Sequence, residues 1–187
     1  MSRIRTAVKP DAESITNFDL VAKSDSSRRE FISQSIDSGL CYVFECENRI
    51  IAYGVLEYSF YGNGFIAMLY VHPQFRRRGF GIELIKHVEK MCQTEKLFTS
   101  TNQSNKPMQA LLSRMEYKPS GVIENLDEDD PELVYFKRLK GLVHSISSAY
   151  RSLMGSLPST CCSLVGRKGT SPHIVRSHRR PQAAQLI

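Results

Sequence analysis

Residues 76–81, with the sequence RRRGFG, combine three cations with two glycines and lead directly into an amphipathic segment. A strand that passes through such a turn into a helix leaves backbone N–H groups unsatisfied at the helix N-terminus, where the helix dipole adds partial positive charge. Gly79 and Gly81 let the backbone approach a ligand closely, and the arginines attract anions. The predicted chemistry is therefore binding of a phosphate group.

Two common nucleotide motifs are excluded at this turn. A dinucleotide-binding fingerprint requires a third glycine where Leu84 stands, and a P-loop requires Gly-Lys-Ser/Thr, which the turn does not contain. The phosphate ligand must therefore belong to another class.

Alternating apolar periodicity predicts an α/β protein with a mixed sheet and helices on both faces. The element order is βααβββαβαββ. Strands are predicted over 4–8, 41–45, 50–60, 65–71, 97–101, 121–126 and 133–139. Helices are predicted over 12–23, 27–38, about four turns from residue 81, and 105–115. The phosphate-binding turn then connects the fourth strand to a helix.

The chain after residue 140 differs in composition. Of 25 basic residues six lie after residue 140, and all 19 acidic residues lie before it. The net charge of +6 thus belongs to 141–187, and it does not argue that the preceding part binds nucleic acid. An amphipathic helix is predicted over 142–154, followed by disorder. We expect a domain over 1–140 and a basic C-terminal extension over 141–187.

Neither a membrane span nor a secretory signal is predicted. No run approaches about 18 apolar residues, and the first residues carry charge without an apolar core. The five cysteines are odd in number and lack the paired spacing of metal ligands, so we expect reduced thiols and no metal. These features predict a cytoplasmic protein.

The phosphate-binding turn resembles motif A of the GNAT superfamily of acyl-CoA N-acyltransferases. The motif Arg/Gln-x-x-Gly-x-Gly/Ala is matched by Arg76, Gly79 and Gly81, after an apolar strand that ends in Val71-His72-Pro73. The predicted order of elements is similar to that of the whole superfamily, so the resemblance covers residues 3–139. It implies the GNAT fold, with acetyl-CoA bound in a V-shaped opening between the fourth and fifth strands.

A second segment, residues 100–105 and the helix after it, is similar to the superfamily's other cofactor-side segment. There an asparagine at the position of Asn105 begins a helix beside the pantetheine and pyrophosphate. By its chemistry alone Asn105 is a helix N-cap. Contact with the cofactor and capping of the helix therefore both stay open as its role. The resemblance also implies that the backbone at Leu69 and Val71 pairs with the pantetheine and that one N–H there polarises the thioester carbonyl. The expected cofactor-binding residues are Leu69, Tyr70, Val71, Arg76, Arg77, Arg78, Gly79, Phe80, Gly81 and Asn105.

The resemblance implies an N-acetyltransferase in which an amine attacks the acetyl group directly. Such an amine must lose a proton, so a general base is expected. Two residues that often act in relatives are missing here. Leu112 stands seven positions after the asparagine, where many relatives have a tyrosine that acts as general acid. The fourth strand carries the apolar Ala67 and Met68 where relatives often have a carboxylate. Glu57 on the third strand is the leading candidate for the base. Weaker candidates are Tyr58, Tyr61 and His72.

The acceptor and the partners are predicted only by class. Four carboxylates over 127–130 lie in the turn between the last two strands, which in this family border the acceptor opening. The electric field of these carboxylates would attract a cationic amine. The other interpretation is an ordinary solvated turn. Expected partners are acetyl-CoA and the primary amine of a small molecule or peptide. A homodimer is possible, and nucleic acid is not expected as a partner. The alternative is a non-enzymatic acyl-CoA-binding or regulatory protein on the same fold.

Overall fold

Seven strands form one mixed sheet in the computed structural model, which describes residues 2–139. The strands are β1 (Ser2–Thr6), β2 (Cys41–Cys46), β3 (Arg49–Phe60), β4 (Asn63–Val71), β5 (Lys96–Asn102), β6 (Lys118–Ile123) and β7 (Glu132–Arg138). The helices are α1 (Asp11–Phe18), α2 (Leu20–Ser24), α3 (Ser26–Asp37), α4 (Phe80–Met91) and α5 (Lys106–Arg114), with a 3-10 turn over Pro73–Phe75. The predicted extension over 141–187 and its helix over 142–154 lie outside the described residues.

The strand order is β1-β2-β3-β4-β5-β7-β6, and β4 and β5 are the parallel pair. A parallel pair needs a crossover connection, which α4 supplies. On one face α4 and α5 pack through side chains that include Leu84, Val88 and Met108. On the opposite face α1, α2 and α3 pack through Ile15, Ile32 and others. The predicted mixed sheet with helices on both faces is confirmed.

Several predicted boundaries are wrong; β4, for example, begins at Asn63 rather than at residue 65. Three of the differences have a clear physical cause. β1 lies two residues earlier than predicted, because the Val8 N–H donates to the Asp11 carboxylate at 2.8 Å instead of continuing the strand. β6 begins at Lys118 rather than at residue 121; its Pro119 is tolerated because β6 is an edge strand, where an N–H is dispensable. The helix predicted over 12–23 is divided into α1 and α2 at Asp19, which adopts an extended conformation.

Two further predictions concern the cysteine thiols and a membrane-spanning helix. Cys41, Cys46 and Cys92 are free thiols, as expected. No helix within residues 2–139 is long and apolar enough to cross a bilayer.

Asp19 is the centre of a buried polar network beneath α1, α2 and α3. One carboxylate oxygen accepts hydrogen bonds from the Val21 and Ala22 N–H groups at 2.9 and 3.2 Å and so caps α2. The other accepts from the Arg28 guanidinium at 3.1 Å and from the Tyr53 hydroxyl. Both Asp19 and Arg28 side chains are fully buried, so each charge depends on the other.

Replacing Asp19→Ala should lower the free energy of unfolding by about 3–5 kcal/mol, because the substitution leaves the Arg28 charge buried without its carboxylate. Urea denaturation followed by circular dichroism measures the loss. Asp25→Ala is the matched control, since Asp25 caps α3 through the Ser27 N–H but has no buried cation; it should cost about 1 kcal/mol. Equal losses in the two variants would contradict the role given to Arg28.

Glu116 follows α5 in the left-handed conformation, with a φ of 66°. For a residue with a Cβ this conformation costs roughly 1–2 kcal/mol. The Glu116 side chain is exposed, so the protein gains little packing in return.

Glu116→Gly should therefore raise the free energy of unfolding by about 1 kcal/mol, reduced somewhat by the greater freedom of glycine in the unfolded chain. Glu116→Ala removes the same carboxylate but keeps the strained φ, and it should leave stability nearly unchanged. Urea denaturation compares the two variants with the parent. A gain in the alanine variant as large as in the glycine variant would assign the effect to charge.

Candidate functional site

β4 and β5 pair at one end and separate at the other. The paired residues are Gly64 with Leu97, Phe65 with Phe98 and Ile66 with Thr99, and no pair follows although both strands continue. The Thr99 hydroxyl donates to the Ile66 carbonyl at 3.1 Å, at the last point of pairing. We call the resulting opening, between residues 67–71 of β4 and 100–102 of β5, the β4–β5 fork.

A β-bulge in β4 accompanies the opening of the fork. On β3, Val55 and Leu56 are consecutive, but their partners on β4 are Met68 and Ile66, so Ala67 is an extra residue without a cross-strand partner. A bulge bends its strand and interrupts the ladder of hydrogen bonds. Ala67 is also half-buried, unlike its neighbours Ile66 and Met68, which are buried. Backbone groups of β4 are thus placed along an opening rather than in a continuous sheet.

Two helix N-termini follow the arms of the fork. β4 leads through residues 72–79 to α4, and β5 leads through 103–105 to α5. Arg77 and Gly79 both adopt left-handed backbone conformations, with φ of 62° and 91°, and Gly79 is the N-cap of α4 without a side-chain cap. Backbone N–H groups at such a turn and helix start form an anion-binding concavity. The predicted turn is therefore adjacent to the open end of the fork.

The three arginines have different environments. Arg76 donates through Nε to the Val71 carbonyl at 3.1 Å, and its guanidinium lies 5.5 Å from the centre of the Tyr70 ring. Its Nη2 is buried and has no hydrogen-bond partner among the described residues. Arg78 lies over the Phe75 ring at 5.5 Å, and the Arg77 side chain is exposed. Arg76 thus binds the end of β4 through Nε, and its Nη2 is available to donate to a ligand.

On the β5 arm, Asn105 and Thr101 supply polar groups. The Asn105 side chain accepts a hydrogen bond from the Met108 N–H at 3.2 Å, so its role as N-cap of α5 is confirmed. Thr101, which the sequence analysis did not select, is fully buried, and its Oγ1 has no hydrogen-bond partner among the described residues. Buried hydroxyls nearly always have a partner. Because Thr101 follows the last β4–β5 pair, a ligand in the fork would supply one.

Glu57 lies beside the paired part of β4 and β5, and not beside the open fork. It pairs with Phe65, which belongs to the closed part, and its half-buried carboxylate accepts a hydrogen bond from the Ser59 hydroxyl at 2.8 Å. The weaker candidates have other surroundings. The Tyr58 hydroxyl accepts from the Gln93 N–H at 3.0 Å, and Tyr61 is 90% exposed.

His72 caps the 3-10 turn that follows β4. Its Nδ1 accepts a hydrogen bond from the Gln74 N–H at 3.2 Å. Burial, and then the nearby charges of Arg49 and Arg76, lower the pKa of His72 below its ordinary value. The neutral form required for this hydrogen bond is therefore favoured.

Leu112 is fully buried in the core beneath α5. The position where relatives have the tyrosine therefore carries only apolar contacts here. No hydroxyl from this position of α5 reaches the fork.

Glu132 is a buried carboxylate that the sequence analysis did not select. It is 5% exposed, and burial, followed by Asp127 and Asp130, raises its pKa, whereas the Ser100 hydroxyl lowers it as a donor. Asp127 accepts a hydrogen bond from the Asn102 amide at 2.7 Å, which ties the turn after β6 to the end of β5. Glu132 was missed because its burial follows from the pairing of β7 with β5, which no local pattern reveals.

A surface pocket of about 470 Å³ lies apart from the fork, between α1 and the strands β1, β2 and β3. Its charged lining is largely paired, since Arg5 contacts Asp11 at 2.6 Å and Glu45 at 2.9 Å, and Arg3 contacts Glu45 at 3.1 Å. These ion pairs attach β1 to its neighbours. The pocket reaches His72 but none of the fork residues, so we place the functional site at the fork.

A model of the Acetyltransferase (GNAT) family matches residues 5–117, more than half of the chain. The chain belongs to this family. A GNAT-family acetyltransferase of Bacillus cereus is similar in structure, with 33% identity, a TM-score of 0.69, and coverage of 74% of this chain and 97% of that one. The family uses acetyl-CoA as cosubstrate, and the β4–β5 fork corresponds to the opening that the resemblance implied.

Two more distant structures share the GNAT fold. The ribosomal-protein-S18-alanine N-acetyltransferase of Escherichia coli is 14% identical, with a TM-score of 0.63 over 78% of this chain and 98% of that one. Ard1 of Thermoplasma volcanium is 14% identical, with a TM-score of 0.67 over 75% and 99% of the two chains. No curated protein matches the sequence significantly.

The residues around the fork fit acetyl-CoA. Three buried side-chain polar atoms lack a hydrogen-bond partner among residues 2–139. Two of them, Arg76 Nη2 and Thr101 Oγ1, flank the two arms, and the third is the Tyr117 hydroxyl. The left-handed turn at Arg77 and Gly79 supplies N–H groups for phosphate. A Cβ at Gly79 would meet nothing within 4 Å, so the protein leaves space where a ligand would approach.

Thr101→Val replaces the buried hydroxyl with a methyl group of the same shape. We expect the free energy of unfolding to stay constant or rise by up to about 1 kcal/mol, because an unpaired buried hydroxyl is removed. The affinity for CoA, measured by calorimetry, should fall several-fold.

The matched control for this variant is Thr99→Val, whose hydroxyl is paired with the Ile66 carbonyl. Thr99→Val should lose about 1 kcal/mol of stability in urea denaturation. If Thr101→Val loses as much, the Thr101 hydroxyl has a partner within the protein.

Proposed function

We propose that this protein is an acetyl-CoA-dependent N-acetyltransferase that acetylates the primary amine of a small molecule or peptide. The observation that carries the proposal is the β4–β5 fork, which opens at Ala67 and leads to the N-termini of α4 and α5. A fork that only supported the sheet would not need unpaired buried polar groups on both arms. The GNAT family membership supports the same conclusion.

In the proposed reaction the amine nitrogen forms a bond to the acetyl carbon, and the bond between that carbon and sulfur breaks. The nitrogen of the neutral amine loses one proton and the sulfur gains one, so the products are an amide and free CoA. An amine that binds protonated first releases one further proton to solvent. Acetyl-CoA supplies the activated acyl group. We assign the pyrophosphate to the turn that includes Arg76, Arg77, Arg78, Gly79, Phe80 and Gly81, and to Asn105.

The backbone of Leu69, Tyr70 and Val71 is assigned to align the pantetheine and to donate one N–H toward the thioester carbonyl. The Val71 carbonyl already accepts from Arg76, which leaves one of its lone pairs for a ligand. Glu57 is the carboxylate that the sequence offered for the amine proton, and replacing Glu57→Gln tests it. A cytoplasmic location remains a prediction.

We propose that the acceptor amine carries positive charge when it binds. Asp127 and Asp130 are attached to the β5 side of the fork, through the Asn102 amide at 2.7 Å and the Ser104 hydroxyl and N–H at 2.6 and 2.8 Å. These hydrogen bonds from Ser104 lower the pKa of Asp130, so this carboxylate stays ionised over a wide pH range. Together with Glu132 they form a negative field that attracts an ammonium group.

The double substitution Gly79→Asp and Gly81→Asp should lower the affinity for acetyl-CoA and for CoA at least about tenfold, because carboxylates then face the phosphate groups and Gly79 has a φ that disfavours a side chain. Isothermal titration calorimetry measures both ligands. Gly121→Asp is the control, since Gly121 lies on β6 with nothing within 4 Å of its Cβ. Equal binding by the double variant would remove the turn from the cofactor site.

Turnover is tested with spermidine, glucosamine and a short peptide with a free amino terminus. Release of the CoA thiol is followed with a thiol reagent, corrected for the protein's own thiols by a blank without amine. Acetylation of a cationic amine supports the proposal. Tight acetyl-CoA binding without acetylation of any amine would favour the alternative, an acyl-CoA-binding protein without enzymatic activity, for which the buried Leu112 argues.

A further inference from the structure

Ser100 and Glu132 lie on the face of the sheet opposite to α4. Leu97 packs with α4 in the core, whereas the adjacent Phe98 stacks on Phe136 of β7 at 5.8 Å, on the other face. Side chains alternate along a strand, so Ser100 shares the face of Phe98, and Glu132 shares the face of Phe136. On this face Ser100 is opposite Val134 and Asn102 is opposite Glu132, so Ser100 and Glu132 are diagonal neighbours, a separation that a glutamate side chain can span.

This arrangement places the pair across the fork from the phosphate-binding turn. The turn leads into α4, which packs on one face, and Ser100 lies on the other face just beyond the last β4–β5 pair, Ile66 with Thr99. An acyl group that enters the fork from the α4 side would meet an amine that approaches from the face of Ser100. The fork is the passage between these two faces.

The charge on Glu132 is uncompensated within residues 2–139, because no lysine, arginine or histidine forms an ion pair with it. Burying a carboxylate without a cation is costly. Asp127 and Asp130 raise the pKa of Glu132 further, whereas the Ser100 hydroxyl lowers it. The two cross-strand partners of Glu132, Asn102 on β5 and Ile123 on β6, bring no charge. A protonated amine in the fork would provide the missing positive charge.

We propose that Glu132 is the proton acceptor for the attacking amine and that Ser100 relays the proton, an inference that rests on the proposed N-acetyltransferase function. A hydroxyl donates one hydrogen and accepts two, so Ser100 can accept the amine N–H while it donates to Glu132. An amine that binds protonated first releases one proton to solvent. As the N–C bond forms, the nitrogen of the neutral amine gives a proton to the Ser100 oxygen while the Ser100 proton passes to the Glu132 carboxylate, and the thiolate that leaves the acetyl carbon takes a proton from solvent. The proton leaves to solvent after the products.

The proposal predicts a specific pH dependence. Glu132 must be ionised to accept the proton, so kcat should rise with pH through the pKa of Glu132, which lies above the ordinary range of glutamate. A second rise at the pKa of the free amine appears in kcat/KM for every variant and is not diagnostic. Glu132→Gln should lose the first rise and lower kcat by about 100-fold or more, with the affinity for CoA unchanged.

The Ser100→Ala variant separates proton relay from simple packing. It removes the donor that lowers the pKa of Glu132, so the rise in kcat should move to higher pH, together with a smaller loss of rate. A substitution that only disturbed packing would not shift this midpoint. Because Ser100→Ala is small and conservative, it keeps the proposal testable if Glu132→Gln does not fold.

The experiment compares Glu132→Gln, Ser100→Ala and Glu57→Gln, with spermidine as the probe amine and Glu124→Gln as an exposed carboxylate control. The inference is overturned if Glu132→Gln keeps the rise, if Ser100→Ala leaves the midpoint unmoved, or if Glu57→Gln alone loses the rise. Those outcomes leave the N-acetyltransferase function intact, since the parent protein still turns over. A parent protein that binds CoA in calorimetry but acetylates no amine overturns both proposals.

Discussion

One additional residue in β4 is the constraint on which the site depends. Ala67 shifts the register between β3 and β4 at Val55 and Leu56, and the pairing of β4 with β5 ends at Ile66, the residue before it. The bulge allows a sheet that is continuous at one end and open at the other. The closed end is held by the Thr99 hydroxyl on the Ile66 carbonyl. The same sheet therefore supplies both a hydrophobic core and a passage lined by backbone groups.

The fork also separates two regions of opposite charge. At the start of α4, N–H groups and arginines create a positive potential, whereas the turn after β6 and the start of β7 carry carboxylates. Residues 1–140 are electrically balanced, so this separation is a property of arrangement and not of composition. An anionic cosubstrate and the cationic acceptor that we propose would thus be attracted to different sides of one opening, which would favour their correct relative orientation.

Local chemistry made several parts of the structure predictable. The turn at residues 76–81 and the cap at Asn105 each depend on residues close together in sequence, so local patterns were enough to predict them. The extra residue in β4 depends on register with β3, and the burial of Glu132 depends on a partner strand 30 residues away. Periodicity contains no information on either. The break at Asp19 could not be predicted from local periodicity, because Arg28, which holds the Asp19 carboxylate, belongs to α3.

The unpaired Thr101 hydroxyl and Arg76 Nη2 couple occupancy of the fork to the folding equilibrium. A ligand that satisfies them binds only the folded chain, and a concentration 100 times its dissociation constant adds about 2.7 kcal/mol to the stability. If acetyl-CoA is that ligand, the melting temperature would rise with its concentration, and the fraction of molecules that is transiently unfolded and open to proteases would fall. With acetyl-CoA as the partner of these two atoms, the survival of the folded protein would depend on the supply of the cosubstrate.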